Sequence, residues 1–151
     1  MQRLRWLVGT LLLSSCAAFD AEPTLITPAR ISIGGDWVGI PITNPFRANI
    51  KDAEVMVDVT EYAALEGSDL EALIHKMDAK FPDGCMRGRL VSSDGREHQL
   101  LSHKGTTSAK QNLLSLSASD GLPTDTLFSK LYLRATCPVE KVHVYWRSWR
   151  K

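Results

Sequence analysis

Residues 54–60 read Glu-Val-Met-Val-Asp-Val-Thr. On an extended chain Val55, Val57 and Val59 face one way, and Glu54, Met56 and Asp58 face the other. Apolar β-branched residues at every second position suit a half-buried strand and do not suit a helix stripe. The same period-two pattern dominates from Arg30 onward and restricts the chain to sheet architectures. Ile31 and Ile33 open it, Gly34-Gly35 interrupts it, and residues 37–42 resume it, with Pro41 and Pro45 pushing that run toward a sheet edge. Residues 86–91 and 96–101 flank Ser92-Ser93-Asp94-Gly95, whose Asp-Gly pair suits a hairpin turn. In residues 112–118, Leu114, Leu116 and Ala118 share one face, and Ser115 and Ser117 the other. Residues 131–136 and 142–149 are expected as two final strands joined by a short connection over 137–141.

One segment breaks this period. Ser68-Asp69-Leu70-Glu71 is a capping box, with Ser68 at the N-cap and Glu71 three residues on. Leu70, Leu73, Ile74, Met77 and Phe81 then follow helical spacing until Pro82 and Gly84 end the run. The spacing predicts a helix over 69–81 with one apolar stripe packed on a sheet. Many short strands with a single helix predict a mostly-β (α+β) fold, a single antiparallel β-sandwich-like domain over residues 30–151. No internal repeat or low-complexity segment is seen.

The N-terminal segment has a different character. Arg3 and Arg5 precede an apolar run from Trp6 to Leu13 that only Gly9 and Thr10 break. A basic start before a short apolar core is the pattern of a secretory signal peptide. The run is far shorter than the roughly 20 residues a membrane-spanning helix needs. One reading is ordinary cleavage near Ala17 or Ala18 and a soluble secreted product. The other rests on Leu13-Ser14-Ser15-Cys16, which resembles the lipobox of bacterial lipoproteins: an aliphatic residue, two small residues, then the cysteine that is acylated. The resemblance covers only about the first tenth of the chain. It implies a signal peptide over 1–15, lipidation of Cys16 and a membrane anchor of several acyl chains, which holds where one chain would not. Ala17 lacks the Asp that resembles an inner-membrane retention signal, so the resemblance places the protein in the bacterial cell envelope, on the outer membrane facing the periplasm. Residues 16–29, with Pro23 and Pro28, read as a tether of at most about 45 to 50 Å.

With Cys16 taken by lipid, Cys85 and Cys137 form an even pair in an oxidising compartment and are expected to be disulfide-bonded. The bond would close a loop of about 50 residues, worth roughly 4 kcal/mol in the chain-entropy model. Net charge is +1, and losing Arg3 and Arg5 takes it to −1. A near-neutral protein gives no support for nucleic-acid binding. Acids crowd residues 52–71, while Lys141, Arg147, Arg150 and Lys151 crowd the end.

The sequence holds no GxSxG, HExxH or Gly-rich phosphate loop, and no Cys/His cluster with zinc-like spacing. His98 and His103, an odd number apart, face opposite sides of a continuous strand. His75 and His143 stand apart from them. Glu54 and Asp58 share a strand face, but a catalytic carboxylate pair needs a cleft and a raised pKa. No enzyme activity, cofactor or metal is expected.

The run Val142-His143-Val144-Tyr145-Trp146-Arg147-Ser148-Trp149 is the most unusual. One face carries His143, Tyr145, Arg147 and Trp149, a composition found at binding hot spots. The alternative is that this face is covered and Trp149 is core. The expected function is therefore a lipid-anchored periplasmic protein that binds another envelope protein as an accessory or assembly component. An inhibitor or immunity protein against a toxin or wall-degrading enzyme is the rival, and a peptidoglycan or glycan binder the third reading.

Overall fold

The computed structural model describes residues 22–49, 52–62, 70–107 and 112–148. Among them, ten strands and one α-helix follow in chain order: β1 (Thr24–Leu25), β2 (Ile31–Ile33), β3 (Val38–Arg47), β4 (Glu54–Asp58), α1 (Leu70–Lys80), β5 (Met86–Ser92), β6 (Glu97–Thr107), β7 (Asn112–Ser117), β8 (Leu127–Ala135), β9 (Val139–Val142) and β10 (Val144–Arg147). Eight of the strands form one antiparallel sheet in the order β1-β10-β4-β7-β6-β5-β8-β3, and β2 pairs with β9 in a second, small sheet. The mostly-β α+β class is as expected. Its two layers, however, arise from one large sheet curling over its own inner face, with the small sheet closing the gap.

Period-two patterning explains the curl. Val55 and Val57 from β4, Leu114 and Leu116 from β7, Leu100 from β6, Leu90 from β5 and Leu131 and Leu133 from β8 all point inward and are almost fully buried. Ile33, Val139 and Val142 of the small sheet enter the same core. The curl goes far enough for the end of β3 to meet β10, its distant neighbour in strand order. Phe46 stacks on Trp146 with ring centroids 4.0 Å apart, and Phe128 lies 6.1 Å from Phe46 and 6.2 Å from Trp146. Just beyond, the Asn49 amide donates to Ser148 Oγ at 2.8 Å. Three rings thus form the seam where the sheet meets itself. Gly88 permits the tight inner packing: a Cβ there would stand 3.1 Å from Leu133 and 3.2 Å from Leu100.

Three expectations need correction. The chain joins the sheet before Arg30: Thr24 and Leu25 pair with Trp146 and Tyr145 of β10, and Ile26 and Thr27 are buried. Two paired residues between prolines make too short a pattern to separate from a tether. The run over 142–149 is not one strand. Lys141, inside β9, takes a left-handed backbone with φ of 54°, and the run is interrupted at His143 between β9 and β10. Residues 139–142 consequently leave the expected connection and pair with β2, while 144–147 pair with β1 and β4. The helix is also held less completely than its stripe suggests. Phe81, just past its end, is buried and Met77 packs on the core, but Ile74 remains 42% exposed. Ser68 and Asp69 of the capping box lie outside the described residues.

Cys85 and Cys137 form a disulfide-competent pair, with sulfurs 2.08 Å and Cα atoms 5.5 Å apart. The pair ties the exit of α1 to the end of β8. No helix among the described residues is long and apolar enough to cross a membrane.

Candidate functional site

The face of β10 opposite the core carries His143, Tyr145 and Arg147, as alternation requires, and all three are half-buried. Val144 and Trp146 point into the core. Trp149 lies outside the described residues, as does Cys16. Neighbours on the sheet already engage this stripe's polar groups. Arg147 Nη2 donates to Glu54 Oε2 at 3.0 Å, and Ser115 Oγ donates to the same oxygen at 2.9 Å. His143 Nδ1 lies 3.4 Å from the buried Thr27 hydroxyl, which itself accepts the Val144 amide at 3.1 Å. His143 therefore helps clasp the entering N-terminal segment. Asp58 Oδ1 accepts the Thr60 amide at 3.0 Å. Glu54 and Asp58, the paired carboxylates of the sequence, thus serve in different hydrogen bonds.

Burial holds the Tyr145 hydroxyl above the ordinary phenol pKa, the Asp58 carboxylate adds to the effect, and Arg30 opposes it. A group whose pKa is raised by folding gives stability that is present below its unfolded value, about 10, and lost as pH rises through the folded one. Spectrophotometric titration should show a tyrosine that ionises above the ordinary phenol range. Tyr145→Phe should remove that late step.

The remaining histidines do not converge. His75 pairs with Glu71 at 3.9 Å on the helix, His98 lies edge-on to Phe128 at 5.6 Å, and His103 is exposed on β6. Among the described residues, no three His, Cys, Asp or Glu side chains come close enough to hold a metal ion.

A second surface has no counterpart among the sequence expectations. On the outer face of β5, β8 and β3, the register sets Arg87 opposite Arg134, Arg89 opposite Tyr132, and Tyr132 opposite Gly39. Trp37, just before β3, lies among them. The guanidinium carbons of Arg89 and Arg134 stand 4.3 and 4.6 Å from the centre of its indole ring. Arg89 also lies 5.2 Å from the Tyr132 ring centre. Gly39 makes room for this layer, since a Cβ there would stand 3.3 Å from Tyr132 Cε1. Leu101, opposite Arg87 on β6, is 42% exposed.

The charge of this face is poorly neutralised. Arg89 reaches Glu97 at 3.5 Å, but among the described residues neither Arg87 nor Arg134 forms an ion pair. Both line a cleft of about 380 Å³ whose other walls include Gly35, Gly84 and Thr136. A guanidinium lying over an indole keeps its edge N–H donors available to an acceptor; Arg89 already directs one to Glu97.

Sequence reading missed this surface because Trp37, Arg87, Arg89, Tyr132 and Arg134 come from three segments. The available signal was the alternation Arg87/Arg89 and Tyr132/Arg134 on the polar sides of two strands. Each resembles an ordinary solvent face until the register joins them. No protein-family model, curated protein sequence or solved structure matches this chain.

Proposed function

We propose that the chain is a lipid-anchored, non-enzymatic protein of the bacterial envelope that binds another envelope protein, serving as an accessory or assembly component. The observation that supports binding is the layer of Trp37, Tyr132, Arg89 and Arg134 on the outer face of the sheet. Tryptophan, tyrosine and arginine are the residues that dominate protein interfaces, and here β5 and β8 carry Arg89, Tyr132 and Arg134 around Trp37 at the start of β3. A sugar-stacking role is less well supported, because two guanidinium groups already lie over the Trp37 ring.

The anchor rests on Leu13-Ser14-Ser15-Cys16. With Thr24 already in the sheet, an acylated Cys16 would lie within roughly 30 Å of it when the intervening chain is fully extended. The domain would then work close to the membrane surface. Cys16→Ser should lose palmitate labelling and move the protein from the membrane to the soluble fraction. A variant that still pellets, or an unlabelled wild type, removes the anchor from the proposal.

Partner binding is tested by cross-linking in cells and identifying the adducts by mass spectrometry. Trp37→Ala should reduce a specific adduct while the protein's abundance and thermal midpoint stay near wild type. An adduct that persists in Trp37→Ala and vanishes in Tyr145→Ala would assign binding to the β10 stripe instead.

A further inference from the structure

We infer that the partner contributes an acidic segment, whose Asp or Glu carboxylates are received between Arg87 and Arg134. This rests on the partner-binding reading above and specifies its chemistry. Arg87 and Arg134 are directly opposed across β5 and β8. Side chains in that relation have Cβ atoms about 4.5–5.5 Å apart, and like charges so placed destabilise a sheet. Nothing among the described residues neutralises either of them, and the adjoining cleft leaves their outer side open. A carboxylate placed between them relieves the repulsion and accepts from two forks at once.

The surroundings favour a protein carboxylate over a lipid headgroup layer. Membrane-surface recognition uses clusters of flexible basic residues near the bilayer, and lysines serve it well. Here the cations are arginines: Arg89 and Arg134 lie over the Trp37 indole, and exposed Arg87 stands opposite Arg134. Planar bidentate groups select an acceptor of defined geometry. Exposed Leu101 and the half-buried Tyr132 add the apolar contact that a peptide backbone and its neighbouring side chains can cover.

The inference makes stability and binding move in opposite directions at one residue. Arg87→Glu replaces a repulsive cross-strand pair by an attractive one with Arg134. Its thermal midpoint should therefore equal or exceed that of wild type. Its affinity for an acidic partner should fall about thirtyfold or more, the effect of losing one hot spot.

The test uses the full-length acylated chain in non-ionic detergent and short poly-L-glutamate as the probe. Wild type should bind it, binding should weaken as salt screens the charges, and Arg87→Glu and Arg134→Glu should each weaken it about thirtyfold or more, with Arg87→Glu keeping its midpoint. Competition by inorganic phosphate or by phosphatidylglycerol doped into the micelles should be weaker than competition by free glutamate peptide. If phosphatidylglycerol displaces the probe and glutamate peptide does not, the site reads lipid and the inference is overturned. It is overturned equally if Arg87→Glu keeps its affinity, or if its midpoint falls. A cellular adduct that survives Arg87→Glu would leave the partner-binding reading standing while refuting its acidic character. Poly-glutamate binding with no cellular adduct would do the reverse.

Discussion

Phe128→Ala is expected to lower unfolding free energy by about 3–5 kcal/mol, the upper end of what truncating one buried side chain costs. Phe128 is wholly buried and touches both sides of the seam, lying 6.1 Å from Phe46 on β3 and 6.2 Å from Trp146 on β10. Removing its ring leaves a cavity where the curled sheet meets itself. At roughly 3–5 °C per kcal/mol for a domain of this size, the midpoint should fall by about 10–20 °C. Urea unfolding monitored by tryptophan fluorescence measures the free energy directly. A loss under about 1 kcal/mol would mean that hydrogen bonds and the small sheet, rather than the ring cluster, hold the seam closed. The milder Phe46→Leu separates stacking from burial, since an aromatic pair contributes only about 0.5–1.5 kcal/mol beyond its area.

Opening the link between Cys85 and Cys137 should have an effect of similar size for a different reason. The two residues lie 52 positions apart in sequence. Joining them removes loop-closure freedom from the unfolded chain, worth about 4 kcal/mol in the entropic model. Cys85→Ala/Cys137→Ala should therefore unfold at a midpoint about 10–20 °C lower, and reduction of the wild type should match it. The mutant's native contacts should change little, because the loss acts through the unfolded state. Alkylation of freshly isolated protein supplies the control: thiols that label before reduction would show that the pair is open in the cell. A reducing agent that leaves the wild-type midpoint untouched would give the same answer.

The sequence made local features legible. Val55, Val57 and Val59 declared a strand because alternation is decided within a few residues. Ser92-Ser93-Asp94-Gly95 declared a turn, and Gly95 duly carries a positive φ of 84°. The Cys85–Cys137 pairing followed from parity once Cys16 was set aside. Features that depend on distant pairing were hidden. Phe46 follows Pro45, in a stretch that had no strand pattern of its own, and reaches its place only because β3 pairs with β8 at Phe128. The outer Trp37/Arg89/Arg134 layer likewise exists only in the register of β3, β8 and β5. The β10 stripe was legible as a stripe, yet the Glu54 and Ser115 groups that engage Arg147 come from β4 and β7.

The pairing of β1 with β10 has a consequence in time. Thr24 lies opposite Trp146, so the first described strand is completed only by the last one. Ile26 and Thr27 likewise receive their hydrogen-bonding partner, the peptide groups of Val144, from the far end of the chain. For a polypeptide threaded unfolded through a narrow translocation channel, N-terminus leading, the edge of the sheet stays unfinished until residues 144–147 have emerged on the far side. Cys137 is delivered almost as late, so the covalent clasp also forms after most of the thread has passed. Synthesis at roughly 5–20 residues per second makes that delay several seconds or more. Were the chain exported in this way, its wiring would keep it from closing prematurely on the wrong side of the membrane. It would also show its unpaired strand edges longest during such transit, where a holding chaperone would find them.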